Sequence, residues 1–210
     1  MAPIGRPRQF TLEDILDAGL ALIDAEGLSA LTMNALAARL GTGRATLYNY
    51  VESREELLDL MLGRALSQEQ PLAAVLAEQD WSDALAGHLV TAFRTGLARP
   101  ALLQLSLATP TLHLGVAARG QEEIRALQSI GFTPTRAAEV FRILVTQLLG
   151  HLAAAAAVAN RPPTATLDGE TELGAAQRHL DAMGEERLYA SAVATLIAGL
   201  AAEVRAWSST

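Results

Sequence analysis

The sequence predicts an all-α protein, and three observations carry that reading. Ala and Leu dominate a chain that is 50% hydrophobic and 4% aromatic, with few β-branched runs; strong helix formers with few strand formers argue for helix. Apolar residues recur at helical spacing along most of the chain. The punctuation is helical as well, with Thr, Ser or Asp before the periodic segments and Gly or Pro after them. Nine to ten helices are expected. They fall into an N-terminal three-helix domain over residues 1–55 and a larger helical domain over 56–210.

The first helix runs from about Thr11 to Glu26. Thr11 is its N-cap, Glu13 and Asp14 sit in its first turn, and Gly27 stops it. Leu12, Ile15, Leu16, Gly19, Leu22 and Ile23 form one apolar face. Thr32 caps a second helix that ends at Gly41, where a tight turn calls for positive φ. Thr42 then caps a third. Ala37 is small where two helices cross, and Leu47 closes the small core between them. Ser53-Arg54-Glu55-Glu56 is a capping box that opens helix four. After Pro71, Asp80 caps a helix from Trp81 to Ala98. Pro100 restarts the chain as far as Thr109, and Pro110 breaks it. A polar helix follows from Gly115 to Ile130. Thr133-Pro134 opens a long apolar helix to Ala159, with Pro at the first helical position. A loop over residues 161–169 precedes helices at 170–183 and 185–207.

Composition narrows the function. The chain has no Cys, so thiolate metal sites and disulfides are excluded, and a reducing cytoplasm is the expected setting. No segment reads as a signal peptide or a membrane span, so no membrane partner is expected. The four His are scattered, no E-x-x-H pair occurs, and neither a phosphate loop nor a nucleophile elbow is present. No metal site, cofactor or enzyme is expected. The net charge is −7, and residues 1–64 set six Arg against nine acids, a share of −3. Any nucleic-acid contact must therefore come from locally placed cations: a tail with Arg6 and Arg8, and the third helix with Arg44 and Arg54. All sixteen cations are Arg, which binds phosphate and guanine bidentately.

Between Gly41 and Val51, Arg44, Ala45, Thr46, Tyr48, Asn49 and Tyr50 supply donors, methyls and rings suited to phosphates and base edges. A helix-turn-helix that lays its second helix in the major groove accounts for this spacing. Residues 10–66 resemble the TetR family of transcriptional repressors through Leu40-Gly41, then Thr46-Leu47-Tyr48, Tyr50-Val51 and Leu57-Leu58; the family commonly has His where Tyr50 stands. Phe132-Thr133 and Leu149-Gly150 are similar to the tetracycline-repressor branch. The resemblance implies a homodimer that binds double-stranded DNA through its first three helices. Helix four would connect them to a ligand pocket and a four-helix dimer interface. It places base contacts on Asn34, Arg44, Ala45, Thr46, Asn49 and Tyr50, and phosphate contacts on Thr32, Tyr48 and Arg54. Thr42, Arg6 and Arg8 complete the DNA-facing set. Packing against helix one is the alternative for Tyr48 or Tyr50, and a solvated helix-start charge is the alternative for Arg54.

A ligand-responsive repressor needs an apolar cavity with a few polar groups. The candidates are Met61, Leu62, His88, Phe93, Leu102, Leu105, His113, Phe141 and Gln147, each with core packing as its alternative. His113-Leu114-Gly115 is similar to the tetracycline branch locally, but the acidic-glycine stretch that precedes that histidine is absent, so no metal-drug chelate is expected. Leu144, Leu148, Leu152, Val193, Leu196, Ile197 and Leu200 recur at helical spacing on stripes too wide for one neighbour, and they form the expected dimer interface. The reading is a repressor that binds a pseudo-palindromic operator as a homodimer and is released by a small apolar or amphipathic effector. The alternatives are a DNA-binding regulator without ligand response and an all-helical enzyme.

Overall fold

Thr11 opens the first helix with the predicted geometry. Its hydroxyl accepts the Asp14 N–H at 3.1 Å, and the Asp14 carboxylate accepts the Thr11 N–H at 2.7 Å. The Thr11 N–H, and after it the Thr11 hydroxyl, which donates to the same carboxylate at 2.7 Å, hold the Asp14 carboxyl below the usual carboxylate range. The computed structural model describes residues 10–108, 114–159 and 171–208, which contain eleven α-helices, one 3₁₀ turn and no strand. The chain divides into two compact units, Met1–Gln68 with Pro100–Arg119, and Glu69–Arg99 with Gly120–Thr210.

The first unit contains α1 (Leu12–Glu26), a 3₁₀ turn (Leu28–Ala30), α2 (Met33–Arg39), α3 (Arg44–Leu47), α4 (Arg54–Leu66) and, from much later in the chain, α7 (Pro100–Ala108). Its core joins Ile15 and Ile23 of α1, Leu36 of α2, Leu47 of α3, Leu57 and Met61 of α4, and Leu105 of α7. Gly19 lets α1 approach α4: a Cβ there would stand 2.9 Å from Met61 Sδ and Cε. On the surface, Arg64 grips both carboxylate oxygens of Asp17 at 3.1 Å. Gln104 of α7 accepts the Leu28 N–H at 2.8 Å. The expected boundary at residue 55 therefore differs from the observed unit. The apolar face of α4 is needed to close the core over α1, and α7 packs on α4, α1 and the 3₁₀ turn.

The second unit contains α5 (Leu72–Leu76), α6 (Trp81–Ala98), α8 (Leu114–Ser129) from Gly120 onward, α9 (Pro134–Ala159), α10 (Glu172–Met183) and α11 (Glu185–Ser208). α6 is its hub and packs on α5, α9 and α11. Phe93 of α6 is fully buried and stacks on Tyr189 of α11, with ring centroids 4.4 Å apart. Burial pushes the Tyr189 phenol up to about 12. His151 meets the same ring edge-on at 5.1 Å. Gly96 lets α6 touch α9, where a Cβ would lie 2.5 Å from Leu152 Cδ1. Arg136 of α9 binds both oxygens of Glu203 of α11 at 2.8 Å.

Three local expectations need correction. The short helix α5 was not foreseen, because five residues carry too little periodicity to register. Thr42 does not cap α3. Gly43 occupies that position without a side-chain bond, and the Thr42 N–H instead closes the turn onto the Ala37 carbonyl at 2.9 Å. The Ser53 box is half formed as well: Ser53 accepts from the Glu56 N–H, whereas Glu56 reaches the Glu52 N–H rather than that of Ser53.

Candidate nucleic-acid interface

The turn between α2 and α3 sets the geometry of the site. Gly41 takes φ 65°, the left-handed region in which a side chain is strained. Ala37 is 4% exposed and Leu47 is fully buried, so α3 is pinned to α2 by its apolar side. Its other side is left bare. Asn34, Arg44, Ala45, Tyr48 and Asn49 are exposed, with Thr42 and Thr46 half-buried among them. The Arg44 guanidinium lies over the Tyr48 ring, 5.5 Å from its centroid, and Tyr48 is 41% exposed. A ring beneath a guanidinium limits the directions in which it can donate. The result is a short ridge carrying a planar five-donor cation, an amide and two methyl groups, the inventory that reads base edges in a major groove.

The two tyrosines separate clearly. Tyr48 is open to solvent. Tyr50 is half-buried, packs against the unit's core, and donates its hydroxyl proton to the Phe10 carbonyl at 2.7 Å. The base contact expected for Tyr50 is thus replaced by an internal tie. Thr32 is exposed and caps α2 by accepting the Ala35 N–H at 3.1 Å, which leaves its hydroxyl proton available to an anion. Arg54 is half-buried at the start of α4 and aims Nε at the Leu31 carbonyl at 3.4 Å. Arg6 and Arg8 lie outside the described residues.

The residues expected to line an effector cavity scatter. Met61, Leu62, Leu102 and Leu105 come together, but in the core of the first unit, at 0–7% exposure. Phe93 is buried under Tyr189. Phe141 lies against Gly120, 3.4 Å from where a Cβ would stand. Gln147 is exposed and shares a crevice with Leu89, Leu144, Tyr189, Ala192, Val193 and Leu196, which has room for about 10 Å³, one water molecule. His113 lies outside the described residues. His88 behaves differently. It is mostly buried on α6, and its Nε2 is 3.9 Å from Oε2 of Glu123, itself 9% exposed on α8. The sequence reading missed Glu123 because α8 is polar as a whole. The signal lay in its register: Glu123 falls on the same helical face as Gly120 and Leu127, both buried.

The expected dimer face also needs correction. Leu144, Leu152, Val193, Ile197 and Leu200 are 4–6% exposed, filling the second unit's own interior, and only Leu148 and Leu196 stay half-buried. The largest apolar residues went inward, where each finds the most neighbours.

The comparisons with known proteins follow this geometry. Residues 15–61 match the family model for bacterial regulatory proteins of the tetR family. These residues, the helix-turn-helix, are those of the TetR family. The chain is 39% identical over 104 residues to the HTH-type transcriptional repressor DrrR1 of Streptomyces coeruleorubidus, a match covering 49% of this chain and only 38% of that relative's length. With the tetracycline repressor protein class E of Escherichia coli it shares 26% identity over 149 residues, 68% of this chain and 65% of that one. Among solved structures, ligand-free ActR of Streptomyces coelicolor superposes with a TM-score of 0.73 at 25% identity, covering 97% of this chain and 98% of ActR. A second ActR structure, in complex with actinorhodin, gives a TM-score of 0.72 at 24% identity, covering 93% and 98%. TetR proteins are transcriptional regulators and not enzymes, and the all-helical fold with its N-terminal helix-turn-helix is theirs.

Proposed function

We propose that this TetR-family chain is a cytoplasmic transcriptional repressor that binds a pseudo-palindromic DNA operator as a homodimer and is released by a small apolar or amphipathic effector. The observation that carries the DNA reading is the exposed ridge of α3, with Arg44 stacked on Tyr48 above a fully buried Leu47. One such ridge reads too few base pairs for specificity, so two copies are required. α9 and α11 supply the surface for pairing. Ile143, Gln147, Gly150 and Ala154 on α9, and Ser191, Thr195, Ala198 and Ala202 on α11, form exposed, uncharged stripes at four- and three-residue steps, small or apolar except at Gln147. The two helices have mean hydropathies of 1.5 and 1.3 over windows of which only 22% is buried, long and apolar enough by length and composition alone to cross a membrane. Two helices from each copy, packed as a four-helix bundle, would cover these stripes.

The effector reading is supported by the His88–Glu123 couple. A carboxylate and an imidazole inside an apolar helical unit are costly to bury and are well placed to orient a ligand's polar groups. The effector reading is supported as well by the similar fold of ActR, which is solved in complex with actinorhodin. The narrowness of the crevice beside Tyr189 favours a second reading, a DNA-binding regulator that answers no small molecule. One experiment separates the two. A random duplex library is selected with the purified protein, and release of the recovered DNA is then screened against apolar and amphipathic compounds. Recovery of a two-half-site sequence whose binding needs Arg44 supports the repressor reading, and failure to recover any sequence overturns it. Release by a compound in the wild type but not in His88→Ala places the effector at the buried couple. A screen without release favours the second reading.

A further inference from the structure

α3 is a single turn of four residues, Arg44–Leu47, and a turn that short does not hold its own direction. What aims it comes from outside. At its leading end the Gly41 turn closes on α2, where the Thr42 N–H donates to the Ala37 carbonyl at 2.9 Å. At its trailing end the chain runs on as Tyr48-Asn49-Tyr50-Val51, and the Tyr50 and Val51 N–H groups donate to the Leu47 carbonyl at 2.9 and 3.2 Å. Leu47 and Val51 are buried there, but apolar contact has no direction and leaves this end free to roll. The Tyr50 hydroxyl removes that freedom. It donates to the Phe10 carbonyl at 2.7 Å, a bond that spans forty positions of sequence.

Phe10 is a fixed anchor. It stands one residue before the N-cap of α1, so its carbonyl lies outside the hydrogen-bond ladder of that helix. Thr11, the next residue, is locked to Asp14 through its N–H and its hydroxyl, both at 2.7 Å. Phe10 also packs against the core of the unit, and with Ile15 it occupies the N′ and N4 positions of a hydrophobic staple. A tyrosine turns about two side-chain torsions only, so a tie at the tip of its ring fixes the backbone at its root. Reading a base edge demands such placement: a recognition side chain must be held to within about 0.5 Å, and Arg44 and Asn49 sit on the segment that Tyr50 ties down. We propose that Tyr50 is a positioning residue for sequence reading. Through its hydroxyl bond to the Phe10 carbonyl it sets the pitch of α3, and so the base discrimination of Arg44, without touching DNA itself. The proposal rests on the DNA-binding reading.

The test uses the full-length protein and the duplex recovered from the random library. Each base pair of the half-site is replaced in turn. The discrimination ratio is the Kd for the replaced duplex over the Kd for the recovered one, at fixed salt. The wild type is expected to show a ratio of about five to 150 at the pair that needs Arg44. Tyr50→Phe, which keeps the ring and removes only the hydroxyl, should lower that ratio by about threefold or more, while the Kd for the replaced duplex stays as in the wild type. Ile23→Val, at the far end of α1, thins the same core without touching the tie and should keep the wild-type ratio. In Arg44→Ala the tyrosine has nothing left to aim, so adding Tyr50→Phe to it should change the ratio no further. An unchanged ratio in Tyr50→Phe overturns the positioning role. Additive losses in the double variant mark a direct base contact by the hydroxyl, equal weakening on every duplex marks a phosphate contact, and an equal loss in Ile23→Val marks an effect of stability alone; each of these overturns it as well. If a half-site is recovered and needs Arg44 while Tyr50→Phe reads it as the wild type does, the positioning role alone falls. If no sequence is recovered, the DNA-binding reading falls with it.

Discussion

The two units of this chain solve the same problem, burying apolar helix faces, to different degrees. The first unit closes its core within one chain: α1, α2, α3, α4 and α7, with Leu31 and Val51 between helices, bring nineteen residues together at 7% exposure or less. The second buries Leu144, Leu152, Val193, Ile197 and Leu200, yet leaves Ile143 37% and Val158 53% exposed and a row of Ala and Gly open along α9 and α11. A helix that contacts solvent on a small-residue stripe has either no partner or a missing one. The difference teaches that the first unit closes its own core, whereas the second leaves a surface that the proposed second copy would complete.

The sharpest way to break that contrast is a charge on the stripe. Ala198→Glu places a carboxylate at the centre of the proposed bundle, and twofold symmetry places two. Burying an unpaired charge costs several kcal/mol, so the dimer should dissociate by more than a hundredfold. Sedimentation velocity at micromolar concentration should report a monomer for the variant and a dimer for the wild type. The same substitution at an exposed site of the first unit, Ala38→Glu, should leave the assembly unchanged. A monomeric wild type would remove the dimer from the reading.

Next in size are two glycines, one in each unit. Gly96→Ala drives a methyl to 2.5 Å from Leu152 Cδ1, 2.9 Å from Cδ2 and 3.3 Å from Cγ. Turning the Leu152 side chain cannot clear all three, so overpacking should cost about 1–3 kcal/mol. Gly19→Ala meets only the end of Met61, a side chain with three rotatable bonds, and should cost less than about 1.5 kcal/mol. Urea melts of both variants give the comparison directly. An equal cost at both sites would mean that the first unit is as tightly packed at its helix crossing as the second.

What the sequence made legible follows the same line. Leu47, Ala37 and Gly41 act on neighbours within one turn, so local spacing revealed them. The inward direction of α9 and α11 was not legible, because a stripe apolar on two sides has no intrinsic inside. Whether Tyr50 meets a base or packs inward is open in the sequence, because its partner, the Phe10 carbonyl, is far away along the chain. α7 was assigned to the second domain for the same reason: its contact with Leu28 through Gln104 spans seventy-six positions and leaves no local mark. Glu123 was readable in principle from its helical register.

On the DNA side, Arg44→Ala should weaken binding to the selected duplex by about 1–3 kcal/mol and relax preference at one base pair per half-site. Tyr48 separates two contributions. If its ring aims Arg44, Tyr48→Phe keeps base preference and Tyr48→Ala loses part of it, by about 0.5–1 kcal/mol. If its hydroxyl serves a phosphate, Tyr48→Phe weakens all sequences alike and lowers the salt dependence. Competition binding at two salt concentrations distinguishes the outcomes.

The smallest effect belongs to the second unit's own clamp. Arg136 holds Glu203 through both oxygens at 2.8 Å and Glu139 at 2.9 Å, and its hydrogen bonds keep the Glu203 carboxyl below the ordinary range while raising its own pKa. A carboxylate whose pKa is lowered on folding stabilises the protein above the unfolded value, about 4.3, and that stabilisation is lost as pH falls through the lowered folded value. The pair is roughly a quarter to a third exposed, so solvent screening limits it to about 0.5–1 kcal/mol. Glu203→Gln should therefore be less stable than wild type by that amount at pH 7, with the gap unchanged up to pH 9 because Arg136 stays charged throughout. As pH falls below the unfolded value the gap should narrow, and the two melting curves should converge once pH is below the lowered folded value. Glu139→Gln, at a side chain 56% exposed, should show almost no gap at any pH. A Glu203→Gln gap that does not narrow at all as pH is lowered until the wild-type carboxyl is protonated would mean that the clamp acts through the packing of the side-chain stems, and not through its charge.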